Sequence, residues 1–178
     1  HLIIEAMRRA YAARAQYLGD PAFNQTMPID RLTSKAHAAG LRGTINLEWA
    51  SVSSPDSFVW PRESNETTHL SVVDGARNAV SMTYTLEQGY GSKITVPGAG
   101  FLLNNEMGDF NAVPGMTTET GLIGTGPNLA EPGKRMLSSM TPTIVRSGTR
   151  TRWVLGTPGG STIITTVFQV LIHVIDFD

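Results

Sequence analysis

Cysteine is absent from the 178 residues, which excludes disulfides, thiolate metal sites and a cysteine nucleophile. That absence is compatible with either redox compartment. Charge is scarce: charged residues make up 16% and the net charge is −1. No global field therefore recruits nucleic acid or an acidic surface. The four histidines, His1, His37, His69 and His173, form no metal-like pair with one another or with a carboxylate. No metal and no cofactor are expected. A secretory signal is also missing, because His1-Leu2-Ile3-Ile4-Glu5 opens directly in a helical pattern. This opening reads as the middle of a gene product, with any signal peptide lying upstream. The most apolar stretch, near the end, is too short and too interrupted by Gln169 and His173 to span a bilayer. Glycine (18) and proline (10) are plentiful and point to turns rather than a helical bundle. The length suits one domain with a proper core.

The patterning gives the order helix, helix, strands, helix, and hence an α+β class. Ile3, Met7, Tyr11, Ala15 and Leu18 recur at helical spacing until Gly19-Asp20-Pro21 stops the run. A second helix is expected from about Asp30, as N-cap, to Ala39, with Gly40 as its stop. Residues 51–66 hold no period and read as an exposed connector, the kind of segment where proteolysis concentrates. Leu70 and Val72 then alternate with His69, Ser71 and Val73; Val80, Met82 and Tyr84 alternate with Ala79, Ser81, Thr83 and Thr85. This is a hairpin about residues 75–78. Pairing Asp74 with Asn78 or Ala79 sets Thr67 beside Thr85 or Leu86, with Glu87 just beyond. A strand is expected around Lys93 to Val96, and a second hairpin joins Ile144-Val145 to Trp153-Val154-Leu155. Residues 111–135 form a long loop without period, of the kind that is functional or disordered. From Ile163 to Ile175 the apolar spacing favours a buried helix.

Glu66-Thr67-Thr68-His69-Leu70-Ser71-Val72-Val73-Asp74 resembles the maturation site of the γ-glutamyltransferases, N-terminal-nucleophile hydrolases that cut their own chain before a threonine. The resemblance continues in Leu103-Asn104-Asn105-Glu106-Met107-Gly108-Asp109-Phe110. It resumes in Pro132-Gly133-Lys134-Arg135-Met136-Leu137-Ser138-Ser139-Met140-Thr141-Pro142-Thr143-Ile144 and closes at Gly156-Thr157-Pro158-Gly159-Gly160-Ser161. It implies a four-layer αββα sandwich, here partial. It also implies that residues 1–66 end a large subunit and 67–178 begin a small, catalytic one. Periplasmic or extracellular placement is implied in the same way.

By that resemblance Thr67, freed by cleavage at Glu66–Thr67, is the nucleophile, and Thr85 is the second threonine that hydrogen-bonds it. A threonine hydroxyl needs a base, and at a chain start its own α-amine can serve. Glu87, Glu106 and Asp109 match positions that hold the donor's α-amino group; many family members carry asparagine where Glu87 stands. Ser138 and Ser139 match the serine pair that contacts the donor α-carboxylate. The family adds an arginine from upstream in its large subunit, and no local arginine takes that role. Gly159 and Gly160 match the oxyanion hole, where unpaired helix-start N–H groups suit a tetrahedral anion. His69 lies near the nucleophile but alternates as a strand residue. Residues 111–135 match the lid of some members, with Thr120 where a tyrosine can stand. Asn24-Gln25-Thr26 and Asn65-Glu66-Thr67 satisfy the glycosylation sequon, a common triplet.

The implied reaction is γ-glutamyl transfer or hydrolysis on glutathione-like amides, with an amino acid, peptide or water as acceptor. The missing large-subunit and C-terminal segments are implied partners; nucleic acid is not. Two alternatives stand: a related cephalosporin or glutaryl acylase, and an inactive, uncleaved fragment with a structural or binding role.

Overall fold

The computed structural model describes residues 1–52, 66–111 and 126–177. Most of the connector, and the stretch 112–125 with Thr120, lie outside the described residues. The contacts divide the described chain into two compact units. The first holds 1–52, 109–111 and 126–137; the second holds 66–108 and 138–177.

In the first unit, α1 (Leu2–Tyr17) follows the expected apolar spacing and ends before Gly19. A side chain at Gly19 would drive into the Pro127 carbonyl, so the chain after α1 lies directly on the loop that returns at 126–128. The expected second helix is instead two: α2 (Ile29–Leu32) and α3 (Lys35–Arg42). Ser34 causes the break, since its hydroxyl accepts the His37 N–H at 3.1 Å and caps α3. Asp30 lies inside α2 rather than capping it, and Gly40 lies inside α3 rather than stopping it. The buried side chains of this unit are mainly polar: beside Tyr11 and Phe110 lie Glu5, Asp20, Asn111, Asn128 and Lys134.

Two of these are ionic anchors. The Glu5 carboxylate accepts from Ser51, Arg9 (2.6 Å) and Arg8 (2.7 Å), and these partners lower its pKa to about 2. Asp20 receives the Arg135 guanidinium at 2.8 and 3.1 Å and the Arg135 N–H at 2.8 Å, which holds its carboxyl well below the usual range. Asp20 thereby ties the end of α1 to the segment that leads into Ser138.

In the second unit, β1 (Thr67–Val73) pairs antiparallel with β2 (Ala79–Thr85) in the register expected from the sequence: Val73 opposite Ala79, Thr67 opposite Thr85. Asp74 builds the turn, accepting the Asn78 N–H at 2.8 Å and its amide at 2.7 Å. The second hairpin, β3 (Thr143–Ser147) with β4 (Arg150–Leu155), is also present, bulged between Val145 and Arg146. The strand expected around Lys93 is reduced to a single bridge, Thr95 to Leu102, because the chain turns back at once through Gly98 and Gly100, both at positive φ.

The burial of the first hairpin is inverted relative to a simple amphipathic strand. The small, polar side chains of Ser71 and Ser81 donate to the carbonyls of Val154 and Leu155 in β4. On the opposite face Leu70, Val72, Val80, Met82 and Tyr84 are exposed.

The last helix, α4 (Ile163–Ile172), is entered by a 3-10 turn from Gly160 and continues as a π turn over His173–Phe177. Only Ile163 and Val167 are buried on it, so the expected buried helix is helical but largely uncovered. The two flanking turns make the helical run Gly160–Phe177 18 residues long with mean hydropathy 1.5, long and apolar enough to cross a membrane by length and composition. This overturns the expectation that the segment is too short. The core is likewise thinner than the length suggests: among the described residues only Tyr11, Phe110, Ile163 and Val167 are buried apolar side chains.

Candidate active site

Thr67 opens β1 directly after Glu66 and stands opposite Thr85. The Thr85 hydroxyl accepts the Glu87 N–H at 2.8 Å, which turns the chain sharply at the strand end. Glu87 takes positive φ (73°), a costly state for a residue with a side chain. Asn105 supports that turn from both sides: its N–H donates to the Leu86 carbonyl at 3.1 Å, and its Oδ1 accepts the Gln88 N–H at 3.1 Å. The Glu87 carboxylate then lies on Gly108, where any Cβ would collide with it. Glu87 is thus brought against the 3-10 turn Glu106–Asp109, and Glu106 and Glu87 each bury a carboxylate oxygen. Asp109 closes that turn but belongs to the first unit.

His69 sits two residues after Thr67 on the same face of β1. Its Nδ1 lies 2.9 Å from Thr83 Oγ1 and its Nε2 lies 3.0 Å from Ser71 Oγ. The Ser71 hydroxyl spends its proton on the Val154 carbonyl (3.2 Å). In the neutral imidazole Nε2 then donates to Ser71 and Nδ1 accepts from Thr83. The Nδ1–Cε1–Nε2 edge of the imidazole lies against Gly156, in the space that a side chain there would take. The strand that begins with Thr67 is in this way seated on the segment that leads to Gly159 and Gly160.

Those two glycines take φ 134° and 54°, conformations that glycine adopts at little steric cost. The Gly159 carbonyl accepts both the N–H (3.0 Å) and the hydroxyl (2.7 Å) of Thr162. Gly160 is buried and begins the helical run, where the first N–H groups lack intrahelical acceptors. Ser138 accepts the Met140 N–H at 3.1 Å, and Ser139 is buried at 5% exposure.

The second unit thus pairs Thr67 with Thr85, sets Glu87 beside the turn that starts at Glu106, and connects the Thr67 strand to the Gly156–Gly160 loop. The sequence reading missed Asn105, Asn128 and the part His69 plays. Asn105 and Asn128 carry no local period, and only their partners reveal them. No group of three or more His, Cys, Asp or Glu side chains suited to a metal occurs among the described residues.

The arrangement is that of an α+β chain whose structural neighbours are gamma-glutamyltranspeptidases. The family described as gamma-glutamyltranspeptidase matches residues 1–178, and the chain belongs to it. The glutathione hydrolase proenzyme of Pseudomonas aeruginosa is 48% identical over 178 residues, covering 99% of this chain and 31% of that protein. The glutathione hydrolase proenzyme of Escherichia coli is 47% identical over 179 residues, 99% of this chain and 30% of its own length. The structure of a gamma-glutamyltranspeptidase from Pseudomonas nitroreducens complexed with L-DON superposes with a TM-score of 0.58 at 56% identity, over 62% of this chain and 57% of that one. The chain therefore spans under a third of the length of these curated relatives.

Proposed function

We propose that the chain acts within a longer polypeptide as the maturation and catalytic centre of a γ-glutamyltransferase, with residues 1–66 closing a large subunit and 67–178 opening a small one. In the precursor, Thr67 Oγ attacks the carbonyl of Glu66, the peptide C–N bond breaks, and the hydroxyl proton passes to the freed Thr67 nitrogen. The resulting ester is hydrolysed, leaving a carboxylate on Glu66 and a free amine on Thr67. That amine titrates near pH ~7.7–8.0, so a useful fraction is neutral under physiological conditions. It takes the hydroxyl proton as Oγ attacks the γ-glutamyl carbonyl of a glutathione-like donor. The N–H groups at Gly159 and Gly160 receive the developing oxyanion, the leaving amine carries away a proton, and an acyl-enzyme remains. Water, an amino acid or a peptide then accepts the γ-glutamyl group. Thr85 steadies the nucleophile; Glu87, Glu106 and Asp109 hold the donor α-ammonium; Ser138 and Ser139 hold its carboxylate.

The observation that carries this reading is the pairing of Thr67 with Thr85 at the open end of β1–β2, directly after Glu66. The four-layer sandwich belongs to the same proposal. The exposed apolar face of β1–β2 and the uncovered sides of α4 are packed by the remainder of the polypeptide, so α4 is a core helix of the complete enzyme rather than a membrane span. The proenzyme names of the relatives support self-cleavage.

The test is intact mass and acyl-enzyme trapping in a polypeptide that supplies the rest of the family's length. Two pieces split at Glu66–Thr67, and an adduct on Thr67, are expected. An adduct on another residue would overturn the mechanism. Preference for a glutaryl amide over γ-glutamyl-p-nitroanilide would favour an acylase.

A further inference from the structure

Asn128 is buried at 5% exposure, yet ends a short 3-10 turn, Gly126–Asn128, where a polar side chain would ordinarily face water. Both ends of its amide are committed. Nδ2 donates to the Asp109 carbonyl at 2.8 Å, and Oδ1 accepts the Leu137 N–H at 2.9 Å. These partners fix the amide orientation, because the carbonyl can only accept and the N–H can only donate. Its own carbonyl accepts the Asn111 N–H at 2.9 Å, within a parallel bridge of Asn111 to Leu129. One side chain therefore braces two main-chain positions 28 residues apart in sequence. The first is Asp109 itself. The second is the peptide that runs directly into Ser138. A buried amide bonded at both ends is costly to disturb, since removing it leaves a carbonyl and an N–H without partners.

We infer that Asn128 is a positioning residue for donor recognition, fixing the main chain at Asp109 against that at Leu137 and so setting the grip of Asp109 on the α-amino group of the donor. The inference rests on the proposed γ-glutamyl reading. Arg135 and Asp20 reinforce the second position, since three hydrogen bonds anchor the residue two places before Leu137. The bonds of Asn128 end on Asp109, Leu137 and Asn111, so it acts on donor binding and not on acyl chemistry.

The test uses Asn128→Asp and Asn128→Ala in the full-length polypeptide. Asn128→Asp keeps the shape and an acceptor for Leu137 but removes the donor to Asp109; Asn128→Ala removes both bonds. Each variant is assayed with γ-glutamyl-p-nitroanilide and with glutaryl-p-nitroanilide, which lacks the α-amino group, alongside thermal unfolding and the mass of the processed chains. The expected result is a loss of about tenfold to a hundredfold in kcat/KM for the γ-glutamyl substrate, carried by KM, as misplacement of substrate-binding groups produces. The glutaryl amide and the processing at Glu66–Thr67 should stay near wild type, while both variants melt lower but still fold. Equal losses on both substrates, no loss on either, or failure of both variants to fold would overturn the assignment. If the wild-type protein itself prefers the glutaryl amide, or Thr67→Ala still matures, it is the γ-glutamyl reading that fails.

Discussion

Thr67 is the proposed nucleophile, and its substitutions separate a chemical from a structural role. Thr67→Ala should abolish both self-cleavage and turnover while leaving the fold intact. Thr67→Ser keeps an oxygen nucleophile and an α-amine after cleavage, so it should process slowly and retain some activity. Thr68→Ala should still mature. Mass spectrometry over a time course of the full-length precursor checks this ordering; normal processing of Thr67→Ala would remove the threonine from the mechanism. Gly156 provides a second test at this scale. Any side chain there displaces the His69 ring, which lies between the β1 strand and the Gly156–Gly160 loop. Gly156→Ala should therefore lower kcat more than it raises KM, by about tenfold or more if a reacting group is misplaced. A pure KM effect in steady-state kinetics would contradict that placement.

Asp20 carries a pH-dependent consequence. Its bonds to Arg135 hold the folded-state pKa below the ordinary value of 3.8. A lowered carboxylate pKa stabilises the fold above the unfolded pKa, and this contribution is lost as pH falls through the folded one. Asp20→Asn should therefore melt lower than wild type near neutral pH, and the gap should close on acidification below about pH 4. Thermal unfolding between pH 2 and 7 measures it; a constant gap would mean that the ion pair is not the cause.

Among the elements, the β1–β2 hairpin has two faces with opposite fates. Its polar face is joined to β4 by Ser71 and Ser81, whereas Leu70, Val72, Val80, Met82 and Tyr84 are exposed. Val80→Ser with Met82→Ser should thus change the stability of the 178-residue chain by little. The same pair should destabilise the full-length enzyme by roughly 1.5–3 kcal/mol per side chain if the remaining segments bury them. Urea unfolding of both forms checks the contrast, and equal effects would argue that this face stays open. The α4 run follows the same logic, since its apolar composition exceeds what its own unit covers.

For the molecule as a whole, hairpin register and the class of fold were legible in the sequence because they depend on near neighbours. Period-two alternation about a four-residue turn leaves few pairings that keep Leu70 and Val80 on one face, and Thr67 then falls opposite Thr85. The stop of α1 at Gly19-Asp20-Pro21 is local in the same sense. The maturation motif and the glycine pair were legible as motifs. Only the tertiary structure decided that Ser34 splits the second helix, that the hairpin turns its polar face inward, and that His69 rests on Gly156. It also decided that Asn105 props the strained Glu87 and that Asn128 joins Asp109 to Leu137. Each of these depends on a partner many residues away or on a side-chain hydrogen bond competing with backbone preference. Such contacts leave no period in the chain, and folding alone brings them within reach.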